Sequence, residues 1–271
     1  MFFMNILILG AGNVEQALIN LCKKSKHLDH IYTASKKALD GVANVEYSDF
    51  ADLVRKIKAL QIDIVLNVDK GLIQDGIVEF LKKNMINVVS ANQKWLNLEN
   101  SRIAAKQLLK HYSINTSEII LAPKSFPIVL KTNHPFFSKI VNTMDELIHY
   151  RETISHYQVF LEEYLEGDVC YLLSLWDGKN VLYFNPNFTL TEVQEDRLDL
   201  YKTKLNIMFS DECPDFIGFF SSKLIWAKND WHVLEYKMHL DKNFDMSTVE
   251  QDFLFILNSA IYQKLNEIDL K

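Results

Sequence analysis

Ile6-Leu7-Ile8-Leu9-Gly10-Ala11-Gly12-Asn13 is the stretch from which the fold is read: four apolar residues end on two glycines and lead into Ala17, Leu18, Leu21 and Cys22 at helical spacing. An apolar run, a glycine turn and an amphipathic segment open a βαβ unit, because glycine lets the chain turn sharply and the helix behind it begins with unpaired N–H groups. The same alternation continues outward. Strands are predicted at Ile6–Leu9, His30–Thr33, Ile62–Asn67 and Asn87–Val89, with helical spacing in Leu53, Val54, Ile57 and Leu60 and again in Ile77, Phe80 and Leu81. This pattern predicts a parallel sheet with crossover helices, a Rossmann-like lobe over residues 1–110 whose last helix is Ser101–His111.

Beyond it the rhythm changes. Tyr112–Pro127 reads as a linker, Asp145–Tyr150 as a short helix, and Phe126–Lys131, Gln158–Tyr164, Val169–Trp176 and Val181–Phe184 as strands. The Asp177-Gly178 pair signals a hairpin turn, and Phe216–Trp226 with His232–Lys237 forms a second hairpin. Ser247-Thr248-Val249-Glu250 has the spacing of a capping box and predicts a final helix through Leu257 and Ile261 to Leu265. The expected organisation is α/β followed by α+β: a small lobe at 120–165, then an antiparallel β lobe at 166–271 closed by that helix. There is no internal repeat and no low-complexity stretch.

Composition excludes several classes. Lys+Arg 29 against Asp+Glu 35 gives a net charge of −6, which offers no footprint for nucleic acid. No run approaches the ~18–20 apolar residues of a membrane span, and Met1–Asn5 lacks the positive start of a secretory signal. Cys22, Cys170 and Cys213 are odd in number and widely spaced, against a disulfide framework or zinc site. The expectation is a cytoplasmic protein with a small-molecule or nucleotide ligand, no nucleic acid, no membrane and an open question of protein partners.

Two places carry chemistry. Gly10-x-Gly12 before a helix favours an anion, but the dinucleotide fingerprint needs a small residue where Glu15 stands and an acidic residue that Thr33-Ala34-Ser35-Lys36 does not supply. A tight turn without ligand fits these residues as well. The second place is Lys131, at the end of the apolar Pro127–Lys131, followed some thirty residues on by Glu162-Glu163-Tyr164-Leu165-Glu166-Gly167. A lysine leaving an apolar strand is costly to bury unless an anion meets it.

With these residues in place the chain resembles the ATP-grasp ligases, and within them the phosphoribosylamine–glycine ligases of purine synthesis, over nearly its whole length. Gly10–Leu18 is similar to the family's Gly-Ser-Gly-Gly-Arg-Glu-His-Ala-Leu turn, with Val14 and Gln16 replacing arginine and histidine. Asp63–Ile73 is similar to its strand before Gly-Pro-Glu-x-Pro-Leu, Asn100-Ser101-Arg102 to its Gly-Ser-Lys, and Leu109–Thr116 to its approach to the small lobe. Lys131 and Glu162–Gly167 match the lysine and hinge that hold ATP, and Val233–His239 resembles Leu-Glu-Phe-Asn-x-Arg.

The resemblance implies ATP between the lobes, with Arg102, Lys131, Glu162, Glu163 and Leu165 toward the nucleotide, Gly10, Gly12, Asn13 and His239 toward the substrate, and Glu235 toward Mg2+. Catalytic residues are not assigned. The chain also departs from the family. None of its eight glycines falls between Gly76 and Gly167, so Thr132–Ser138 replaces the glycine-rich phosphate loop, and Asn185–Pro214 replaces a second glycine-rich stretch. Lys237 puts a cation where a magnesium ligand is expected, and His239 replaces the substrate arginine. The family's extra C-terminal lobe has no counterpart in this sequence. These departures point to a divergent, truncated member in which ATP binds weakly or not at all and Mg2+ is not a firm expectation. An active ATP-dependent carboxylate–amine ligase is the alternative, and a dinucleotide-dependent oxidoreductase a weaker one.

Overall fold

The computed structural model describes residues 3–10, 12–35, 39, 41–133, 137–184, 189–240, 249 and 251–269. It begins with β1 (Met4–Leu9), α1 (Asn13–Cys22), β2 (Leu28–Ala34), β3 (Ala43–Asn44), α2 (Phe50–Ala59), β4 (Ile64–Asn67), α3 (Lys70–Gln74), α4 (Ile77–Lys83) and β5 (Val88–Val89). The strands are all parallel and lie in the order β3-β2-β1-β4-β5. β1 is apolar throughout its second half because both of its faces are covered. Ile6, Ile8, Ile64 and Leu66 pack with Leu18 and Ile19 of α1, while Leu7, Leu9 and Val65 pack with Leu53, Ile57, Ile77 and Leu81 of α2 and α4. Two short helices, α5 (Gln93–Asn100) and α6 (Arg102–His111), leave this layer, capped by Asn92 and Ser101.

The segment expected to be a linker is built into the next sheet. It supplies β6 (Ile119–Ile120), and with β7 (Ile128–Thr132), β8 (Ser138–Val141) and β9 (Val159–Glu163) it forms an antiparallel sheet in the order β6-β9-β7-β8. α7 (Met144–Thr153) covers one face; Thr143 caps its start, and it runs three residues past the expected end at Tyr150. Ile128, Leu130, Val141, Leu147, Ile154 and Leu161 make a small core of their own.

The third sheet, β11-β10-β12-β13, contains β10 (Asp168–Trp176), β11 (Val181–Tyr183), β12 (Gly218–Ala227) and β13 (Asp230–Lys237). Both expected hairpins are present; Lys228 and Asn229 turn the second with φ of 54° and 61°. Between β11 and β12 the structure places α8 (Glu192–Glu212), 21 residues long, where no helix was expected. Thr191 and Gln194 form its capping box, and Leu198, Tyr201, Leu205, Met208 and Phe209 bury against the sheet.

The last helix, α9 (Phe253–Ile261), begins later than expected and is capped by Asp252, which accepts from the N–H groups of Leu254 and Phe255. Ser247, Thr248 and Glu250 of the expected capping box lie outside the described residues. α9 does more than close the antiparallel lobe: Phe253, Leu254, Ile256, Leu257 and Ala260 share one core with β1 and α1 and with Leu175 and Phe219 of the third sheet. Among the described residues no helix is long and apolar enough to cross a membrane.

Candidate functional site

The strand pleat sends alternate side chains to opposite faces. On β7, Leu130 enters the small core and Lys131 faces away from it; on β9, Leu161 enters the core and Glu162 faces away. Both charged groups are buried, Lys131 at 6% and Glu162 at 1% exposure. Burial at that level demands pairing, and Lys131 Nζ stands 2.7 Å from Glu162 Oε2. Lys106, one helical turn after Arg102 on α6, reaches the other oxygen at 3.0 Å. The Ser117 hydroxyl donates to Oε2 at 2.6 Å, and Lys106 also donates to the Thr116 hydroxyl at 2.8 Å and the Ser117 carbonyl at 2.7 Å. Burial works to raise the Glu162 carboxyl, but the two ammonium groups outweigh it and hold the carboxyl below its ordinary range. Burial pushes Lys106 down to about 8, with Glu162 pulling the other way. Glu162 is therefore the firmly ionised member.

Arg102 joins the two antiparallel sheets. Its Nη1 donates to the carbonyls of Thr132 and Phe137 at 3.2 and 2.8 Å, and Nη2 to Glu235 Oε2 at 3.4 Å. Glu235 pairs across the β12–β13 ladder with Lys223, whose ammonium lies 3.7 Å from Oε1. Two residues on, Lys237 turns to Glu99 at 3.5 Å, where Lys70 also arrives at 2.9 Å and His239 Nδ1 at 2.9 Å, with the Met238 N–H on the same carboxylate. Burial would raise Glu99, but the bonds from His239, Lys70 and Met238 bring it down to about 2. Glu99, Arg102, Lys106, Glu235 and Lys237 line a cavity of about 20 Å³ between α6 and β13, room for about one water.

Lys131 and Glu162 thus fall in one ion-paired group with Lys106, and Arg102 and Glu235 in a second with Lys223, both at α6. Glu163 points the other way, to Lys228 and the Glu118 N–H, and Leu165 packs with Ile225, Ala227 and Leu234. Gly10 and Gly12 form the β1–α1 turn, where Gly10 has φ of 119° and a Cβ would lie 2.2 Å from Glu15 Oε1. The Glu15 carboxyl, raised by burial against lowering hydrogen bonds from the backbone of Glu15 and Gly12, has folded into this turn. Asn13 is exposed at the start of α1, and His239 sits with Glu99. Sequence reasoning missed Glu99, Lys106, Thr116, Ser117 and Lys223. The i, i+4 spacing of Arg102 and Lys106 was the available signal; Thr116 and Ser117 had none, since their segment read as linker. Among the described residues no group of three or more His, Cys, Asp or Glu side chains could hold a metal ion.

Residues 4–99 match the family model of the phosphoribosylglycinamide synthetase N domain. Phosphoribosylamine–glycine ligase of Clostridium acetobutylicum is 24% identical, covering 99% of this chain and 77% of the relative. The crystal structure of the Thermotoga maritima phosphoribosylamine–glycine ligase superposes with a TM-score of 0.73 at 18% identity, covering 98% of this chain and 76% of that one. This chain has the ATP-grasp fold and is similar to phosphoribosylamine–glycine ligase. The ATP-grasp fold is equally seen in D-alanine–D-alanine ligase of Bacillus anthracis, solved with ATP, which superposes with a TM-score of 0.62 at 17% identity over 99% of this chain and 100% of that one. In this chain the ion-paired side chains lie where the two antiparallel sheets meet α6.

Proposed function

We propose that this protein is a divergent relative of phosphoribosylamine–glycine ligase that keeps a nucleotide-binding scaffold while metal-dependent ligase chemistry is weakened or lost. The observation that carries the reading is the surroundings of Glu235. Glu235, the carboxylate that the resemblance turns toward Mg2+, meets Arg102 at 3.4 Å and Lys223 at 3.7 Å, with Lys237 two residues along the same strand. A unit charge at 4 Å repels a like charge by about 4 kcal/mol at an effective dielectric of 20, and a divalent ion doubles that. The residues present do not fit the metal.

The two cations that the resemblance turns toward phosphate, Arg102 and Lys131, lie at α6 with Lys106 as an unexpected third, which supports retention of an anionic ligand between the sheets. Support for a dinucleotide is weaker, since Glu15 places a buried carboxylate at the helix N-terminus where pyrophosphate would sit. The test is ADP release by the purified chain with ATP, glycine and 5-phosphoribosylamine in excess Mg2+. No release above background is expected. Steady release that disappears in Glu235→Ala would establish the active ligase instead.

A further inference from the structure

We infer that the outer stripe of α8 pairs with α8 of a second copy of this chain, the two helices running parallel about a twofold axis. α8 buries Leu198, Tyr201, Leu205, Met208 and Phe209 against the third sheet, yet Val193, Leu200 and Ile207 stay 59%, 42% and 52% exposed. They recur at intervals of seven residues, which sets all three on one line about 21 Å long. Such a line is one apolar row of a two-stranded coiled coil.

Charge decides what covers the stripe. Glu192 and Asp199 stand just before Val193 and Leu200 on one flank, and Arg197 and Lys204 stand four residues after them on the other. Glu192 and Arg197 make no hydrogen bond or ion pair among the described residues. Asp199 pairs with Lys202 through one oxygen at 2.9 Å, and Lys204 donates to the Ser113 carbonyl at 2.6 Å, so both keep capacity for a further partner. A twofold axis along the helices brings the acidic flank of one copy against the basic flank of the other, Glu192 to Arg197 and Asp199 to Lys204, each pair formed twice. Reversing one helix instead puts like flanks together, Arg197 against Lys204 and acid against acid, so the charges select the parallel pair.

The seam positions between the aliphatic residues are Asp196, Thr203 and Ser210. Two aspartates meet at the first of them, and one helix pair is small beside the roughly 1,200 Å² at the low end of specific interfaces, so the association is weak and concentration-dependent. It requires no ordering of the helix, because the sheet already holds α8.

Sedimentation velocity on the full chain from about 10 to 300 µM tests this, with the wild type expected to move from monomer toward dimer as concentration rises. Leu200→Asn should abolish the shift and Arg197→Glu should weaken association roughly tenfold, each near the wild-type melting temperature because both positions are exposed. Glu192→Arg combined with Arg197→Glu in the same chain should restore association. The exchanged charges meet again only between copies, since residues five apart on one helix do not face each other. Asp196→Leu should tighten the dimer. A monomer throughout the range overturns the inference and leaves the stripe to a different protein. A dimer that keeps its affinity in Leu200→Asn or Arg197→Glu, or that the charge exchange fails to restore, overturns it as well, by placing the contact elsewhere.

Discussion

At Glu99 the ammonium groups of Lys70 and Lys237, the His239 ring and a backbone N–H converge on one buried carboxylate, and the consequence is a pH dependence with a defined sign. Its folded pKa of about 2 lies below its ordinary 4.5, so the unfolded chain takes up the proton first. Stability from this group is fully present above pH 4.5 and is lost as the pH falls through about 2, a contribution on the order of 3 kcal/mol. In urea unfolding, wild type should exceed Glu99→Gln by that order near pH 6, with the gap narrowing by about pH 3. An equal gap at both values would remove the Glu99 carboxylate from the account. Glu99 also shows the limit of reading residues from sequence. Lys131 was legible because a lysine in an apolar strand breaks the pattern, and Glu162 because it follows at hinge distance. What they touch was not: Lys106 and Ser117 reach Glu162 across 56 and 45 residues of chain, and nothing local records that.

Elements were legible where a short apolar run or a regular apolar period ends on turn residues. β1 with its glycine turn, both hairpins and the helices of the parallel layer came out near their predicted places, since period and turn residues agree there. α8 did not. It buries Leu198, Tyr201, Leu205 and Met208 on the sheet but also exposes Val193, Leu200 and Ile207 on its outer side, so apolar residues on both faces blur the 3.6 period. Its start was still written in Thr191-x-x-Gln194, whose side chains satisfy each other's backbone donors. Removing that cap by Thr191→Ala should cost about 1 kcal/mol, read as a lower melting temperature with unchanged ligand titrations. A drop in ligand affinity would mean that α8 positions the site and does not merely support the sheet behind it.

Across the whole molecule the two joints between layers differ in kind. α9 joins the parallel sheet to β10–β13 through a shared apolar core, reinforced where Asp252 accepts from the Ser25 hydroxyl and the Lys26 N–H. The β6–β9 sheet has only its own small core, and the buried charges of Glu162 anchor it to α6. Apolar joints fail gradually when trimmed, but a buried ion pair that loses one partner leaves uncompensated charge, typically about 3–5 kcal/mol. Glu162→Ala strands the Lys106 and Lys131 ammonium groups against each other and should release the β7–β9 layer first. Hydrogen exchange on the full chain reads this directly: amides of β7 and β9 should exchange faster in the variant while those of β1 and β4 keep wild-type protection, because their core does not include Glu162. Replacing the freed lysine as well, in Glu162→Ala with Lys131→Met, should restore part of the protection by removing one stranded charge. Uniform loss of protection through all three sheets would show that the ionic seam holds the entire fold and that the small sheet has no separate opening.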